Sequence, residues 1–267
     1  MLSASRRSTS TASPTAPPWA RSTRPCTRTA SVASCSTATL TPRDVWYQAN
    51  LNQDIAFDRN MGIYFVWVAK HDSVYHLGND GANVERTYYW VLKQLRSHPQ
   101  AGGLVGPEEW TDAFLGAGYY VYGWEDVRAA FDAAVNQGDF AAIKDLYDSS
   151  NGQGPGADNG YAVDGAVQCT DVRWPQRWAL WQRDNWRIYV SAPFETWSNA
   201  WYNAPCLHWA GQPGTPVNVD GRKAPGILLI DETNDAATPY PGLRTWCSIV
   251  TALCRSPDNQ ARGRWSR

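Results

Sequence analysis

No stretch of the 267 residues approaches the roughly eighteen consecutive apolar positions that a membrane-spanning helix needs. The formal charge of −1 supplies no field that would gather nucleic acid or an anionic membrane surface, so neither is expected as a partner. Arginines near the N-terminus are followed by no apolar segment of the kind a secretory signal carries. Six cysteines stand at 26, 35, 169, 206, 247 and 254, and their spacing matches no zinc site; count alone assigns no pairing. Cys206 and His208 lack two further ligands at sensible spacing, and no metal or other cofactor is expected.

The first forty residues lack more than any other part. They contain no Asp, Glu, Lys, Gly, Tyr, Phe, Ile, Asn, Gln or His, while Ser, Thr, Ala, Arg and Pro supply 33 of the 40. Without apolar periodicity such a segment cannot bury enough surface to offset its ordering entropy, and residues 1–41 read as disordered.

From Asp44 the texture changes to helix. In "NVERTYYWVLKQLRSHP" the residues Val84, Tyr88, Val91, Leu92 and Leu95 recur at spacings of three and four before Pro99, which predicts an amphipathic helix. Asp44 to Lys70 and Pro107 to Gly123 read the same way. "WEDVRAAFDAAVNQGDFAAIKDLYD" predicts one or two short helices broken at Gly138, and Ser149 to Gly160 a Gly- and Asn-rich loop. Residues 42–165 are therefore expected to form a helical block without strands.

The chemistry gathers further on. "APGILLIDETNDAATPY" places the apolar run Ile227 to Ile230 between Pro225-Gly226 and a polar cluster, the pattern of a strand buried on both faces of a parallel sheet. Asp231, Glu232 and Asp235 follow it. Open α/β sheets place functional groups just past the carboxyl ends of such strands, although a solvated acidic loop would have the same composition. The four histidines, at 71, 76, 98 and 208, all precede Asp235 and read as structural or surface residues.

The stretch "PVNVDGRKAPGILLIDETNDAATPY" resembles the C-terminal part of the tripeptidyl aminopeptidase-like serine peptidases of the α/β-hydrolase fold, and "AVQCTDVRWP" and "NAPCLHWAG" resemble segments of the same family. The resemblance covers roughly residues 42 to 242. It implies a partial α/β-hydrolase in which residues 42–165 are an inserted helical lid and residues 166–242 the C-terminal hydrolase portion. It further implies Asp235 as the acid of a Ser-His-Asp triad, a Cys169–Cys206 disulfide, and a peptide substrate with a free N-terminus. A lid carboxylate would take the substrate's α-amino group, with Glu108, Glu109, Asp171 and Glu195 as candidates. The family is commonly exported, and that disulfide would need an oxidising compartment; the chain as written would be made in the cytoplasm.

In this fold the nucleophile sits in a G-x-S-x-G elbow before the acid, and the His follows the acid. The chain has no G-x-S-x-G and no His after Asp235. Codons for Ser10 to Pro17 read one base earlier can encode Tyr-Gly-Phe-Ser-Tyr-Gly-Thr, which contains the elbow. Cys35 to Thr41 in the same frame can encode Leu-Asp-Gly-Asn-Ala-Asp-Pro. Residues 1–41 are accordingly read as out of frame, residues 243–267 as an aberrant or disordered tail, and the chain as inactive. A different class remains open: fifteen Trp and thirteen Tyr, crowded from Trp174 to Trp209, would suit a non-catalytic binder of carbohydrate or extended peptide.

Overall fold

The computed structural model describes residues 34–152, 154–220, 227–249 and 252–255. The chain forms two compact units, one of residues 54–214 and one that joins residues up to 53 with those from 215 onward.

The discontinuous unit is α/β. Strands β1 (Ser34–Thr37), β2 (Ile227–Ile230) and β3 (Ala252–Arg255) make a parallel sheet with β2 in the centre. Ser34 pairs with Ile227, and Ile227 with Ala252. The apolar run expected to be a strand is therefore one, and two neighbours saturate its backbone. A parallel pair needs a crossover. Between β2 and β3 that crossover carries a helix, Pro241–Ile249; between β1 and β2 it holds the whole of the other unit. Leu229, Leu243 and Ile249 form the buried core, with Val219, Ile227, Tyr240 and Trp246 packed on it. Gly242 has no room for a side chain: a Cβ there would lie 2.6 Å from the Thr39 carbonyl oxygen.

Two expectations are corrected here. Residues 243–249 of the expected aberrant tail belong to the Pro241–Ile249 helix, and residues 252–255 pair with β2. Leu243 and Ile249 are buried because they share the helix face that covers the sheet. Ser34–Thr37, within the segment expected to be disordered, forms β1 because backbone pairing to β2 does not depend on apolar side chains. The remainder of that segment, residues 1–33, lies outside the described residues.

The second unit is helical, and among its described residues no strand occurs. Its helices, numbered from the N-terminal one that enters it, are α1 (Tyr47–Ala69), α2 (Asp72–Tyr75), α3 (Gly81–Leu95), α4 (Pro107–Tyr119), α5 (Trp124–Asp132), α6 (Ala141–Ser150), α7 (Asn159–Asp171), α8 (Trp178–Tyr189) and α9 (Thr196–Asn203); Pro241–Ile249 is α10. The local causes are ordinary. Asp80 caps α3 by accepting from the Asn83 N–H at 2.7 Å, and the predicted stripe Val84, Tyr88, Val91 and Leu95 is the buried one. Pro107 opens α4, where Glu109 reaches back to accept from the Gly106 N–H at 2.9 Å. Tyr64, Tyr88, Trp110, Phe114 and Phe131 fill the interior, with Tyr88 and Phe114 edge to face at 4.9 Å.

The expected boundary at 165/166 falls inside α7, and helices continue to α9. Much of the segment read as hydrolase portion from 166 thus belongs to the helical unit, whose limit is Gly214. Its Trp-rich texture masked a helical period: Trp181, Asp184, Asn185 and Ile188 are the buried side of α8. A disulfide joins Cys169 at the end of α7 to Cys206 just after α9, with Cα atoms 4.8 Å apart.

Candidate functional site

In the α/β unit, the loop after β2 holds two carboxylates with different tasks. Asp231 immediately follows the strand and is 4% exposed. It accepts from the Thr39 N–H at 2.9 Å and from the Thr39 hydroxyl at 2.8 Å. Burial pushes its carboxyl up to about 6, against the pull of the Thr39 hydrogen bonds. It therefore ties the end of β2 to the segment that follows β1. Asp235 stands five residues beyond the strand end, outside any helix, and is half-buried. Its two oxygens accept from the Thr238 N–H at 2.8 Å and the Thr238 hydroxyl at 2.5 Å. The Asp-x-x-Thr spacing thus forms a closed turn that fixes the carboxylate before any partner arrives. Gln53 donates to the Ala237 carbonyl at 2.7 Å and holds the same loop from outside.

The helical unit holds a second group of carboxylates. Glu195, the residue before α9, has its Oε2 atom buried with no hydrogen-bond partner. Burial raises its carboxyl to about 8, and the neighbouring Asp54 and Asp112 add to the rise. Asp54, on α1, is 1% exposed and accepts from the Asn199 side chain at 2.8 Å. Burial lifts it to about 7 in spite of that bond. Asp112, on α4, is raised to about 6 by burial and by Glu108 and Glu109. Asp58, one turn beyond Asp54, is raised to about 6 by burial, although it accepts from the Phe194 N–H at 3.2 Å. Ser198 of α9 donates to Glu108 at 2.9 Å. Helix α9 therefore touches α1 through Asn199 and α4 through Ser198, and carries Glu195 between them.

Of the four carboxylates expected from the sequence, Glu195 lies beside Asp54 and Asp112, and Glu108 accepts from Ser198 three residues further on. Glu109 is next to them in sequence but spends one oxygen on the helix cap. Asp171 ends α7, where the Gly214 N–H donates to the Thr170 carbonyl, and it is not among the charges acting on Glu195. Sequence reasoning missed Asp54 and Asp112. Asp54 had a legible signal, because it falls on the stripe Leu51, Phe57, Met61, Phe65 and Val68 that α1 buries. Among the described residues no group of His, Cys, Asp and Glu is arranged to hold a metal ion, and no helix is long and apolar enough to cross a membrane.

The central strand of the parallel sheet ends in a loop of carboxylates, and a family model described as TAP-like protein, of the α/β-hydrolase group, matches residues 192–250. The chain is 42% identical over 205 residues to a tripeptidyl aminopeptidase of Streptomyces lividans, and equally to one of Streptomyces coelicolor. That stretch is 74% of the chain's length, and over it the chain is similar to those tripeptidyl aminopeptidases. It spans 37% of the length of those relatives.

Proposed function

We propose that this chain carries the acid loop and the substrate-gating helices of a serine exopeptidase that releases short peptides from free N-termini. The observation that carries the reading is the 205-residue match to tripeptidyl aminopeptidases, together with the family match over residues 192–250, which include the loop after β2. Asp235 is the acid of the triad. A serine hydroxyl attacks the scissile carbonyl once an imidazole takes its proton, and a fixed carboxylate holds that imidazole's tautomer and stabilises its charged form. The turn closed by Thr238 supports that role, since it presents a carboxylate whose position is set in advance.

The helical unit acts as the lid, and Glu195 takes the substrate's α-ammonium group. Its lone buried oxygen is an acceptor waiting for a donor, and Asp54 and Asp112 add negative charge around it. An ammonium ion arriving there would stabilise the ionised forms and make a charge-assisted hydrogen bond.

The chain as written contains neither a G-x-S-x-G elbow nor a His after Asp235, so it binds without turning over. The test is a titration of tryptophan emission with a tripeptide amide and with its N-acetylated form. Binding of the free amine alone supports the reading, and equal binding of both removes Glu195 from it.

A second reading, a non-catalytic binder of sugars or extended peptides, is favoured by one observation. Trp186, Trp201, Tyr161 and Tyr202 are each more than two-fifths exposed, with Trp178 and Trp201 rings 5.0 Å apart. Retention on an oligosaccharide column would select it.

A further inference from the structure

The near-zero charge of the chain conceals a division. Residues 54–214 contain nineteen Asp and Glu against eleven Lys and Arg, a formal charge of −8, whereas the whole chain carries −1. Part of the excess lies beside Glu195. Asp54 and Asp112 act on Glu195, Glu108 and Glu109 act on Asp112, and Glu85 acts on Asp58, which shares α1 with Asp54. No Lys or Arg is among the groups acting on any of these four. Among the described residues the ion pairs of this unit are Arg128–Glu125, Lys144–Asp148 and Arg183–Asp184, and all lie outside the group.

Glu195, Asp54 and Asp112, held together by the Asn199–Asp54 and Ser198–Glu108 hydrogen bonds, have no ion pair among the described residues, and ionising them costs the fold. A partner that brings more than one positive charge offsets that cost more than a single ammonium can. The buried Glu195 oxygen supplies an independent mark of a ligand, since a desolvated acceptor without a donor is costly to leave unfilled. Apolar rings are at hand for long basic side chains: Trp197, two residues after Glu195, lies 5.0 Å from Trp186 and 6.4 Å from Trp178 between ring centres.

We infer that the helical unit selects cationic peptides, those bearing Lys or Arg within the first few residues after a free N-terminus. This inference rests on the ammonium-binding reading of the same residues. The excess charge draws such peptides in before contact, and the carboxylates around Glu195 discriminate among them after it.

The test uses the full chain and three peptide amides: Ala-Lys-Lys, Ala-Gln-Gln and N-acetyl-Ala-Lys-Lys, each followed by tryptophan emission. At about 20 mM salt the Lys peptide should bind about tenfold more tightly than the Gln peptide, and at about 0.5 M the ratio should fall to about twofold as the charges are screened. Combining Glu195→Gln with Asp112→Asn should bring the low-salt ratio to about twofold as well, with helical circular dichroism retained. Should that variant not fold, the salt series decides by itself. Equal binding of the Lys and Gln peptides at low salt, with acetylation still abolishing it, would overturn the inference and leave the ammonium reading standing. A Lys preference untouched by acetylation would overturn both, since the inference places the basic residues after a recognised free N-terminus. No binding by any of the three overturns both.

Discussion

Replacing Glu195 by Gln should change how the stability of the helical unit depends on pH. An unfolded Glu releases its proton near 4.5, whereas burial beside Asp54 and Asp112 holds the folded one to about 8. Between those values the native chain keeps a proton that the unfolded chain has lost, so stability falls as pH rises through this window and levels off above it. At 1.36 kcal/mol per pKa unit, the part of the window between pH 5 and pH 8 corresponds to a loss of about 3 kcal/mol from this residue alone. Asp54, raised from 3.8 to about 7, adds a loss of the same sign. Gln keeps the shape of the side chain and has no proton to release. Urea titrations at pH 5, 6.5 and 8, read by tryptophan emission, would measure the slope, since eleven of the fifteen tryptophans lie between residues 54 and 214. The Gln variant should lose about 3 kcal/mol less than the parent over the range. Identical pH slopes in the two proteins would refute the account of Glu195 as a desolvated carboxylate.

Gly242→Ala should destabilise the α/β unit by about 2 kcal/mol or more, because the new methyl meets backbone at Thr39 and Thr41 that cannot move aside without shifting the end of β1; a normal urea midpoint would remove that argument. Cys206→Ser opens a link between residues 37 apart in sequence, for which chain entropy predicts a loss of about 4 kcal/mol, visible as a lower melting temperature by circular dichroism. The purified chain should hydrolyse no tripeptidyl chromogenic substrate above background, and any turnover proportional to protein concentration contradicts the assignment of a missing nucleophile. The gene should spell Gly-Phe-Ser-Tyr-Gly one base earlier across the codons for Ser10 to Pro17, a point that its third bases decide.

The elements that were legible had a single strong signal. The four-residue run at Ile227 fitted a short strand between Pro-Gly and a polar loop better than a helix, although Leu229 alone of the four is buried and Ile230 is exposed, and the stripe from Val84 to Leu95 fitted a helix face. Asp235 was singled out by the resemblance of the stretch around it, and the structure puts it in the loop after β2, held by Thr238. Strand β1 was not legible, because "SCST" carries no alternating pattern and its pairing partner lies far along the chain. The Pro241–Ile249 helix was obscured by reading its surroundings as aberrant, although Leu243, Trp246 and Ile249 recur at helical spacing. Tertiary packing assembled the carboxylate group. Helix α9 presents Glu195, Ser198 and Asn199 to different helices, and no spacing within one segment announces a meeting of α1, α4 and α9.

The pairing of Ser34 with Ile227 sets an order of events during synthesis. At ribosomal rates, about 10 to 40 s separate the emergence of β1 from that of the strand it must join. In that interval the described helices between them, α1 to α9, can emerge and pack, whereas β1 waits without its partner. The α/β sheet is thus the last part of the chain that can close, and β3 completes it only when the helix after the acid loop has been made.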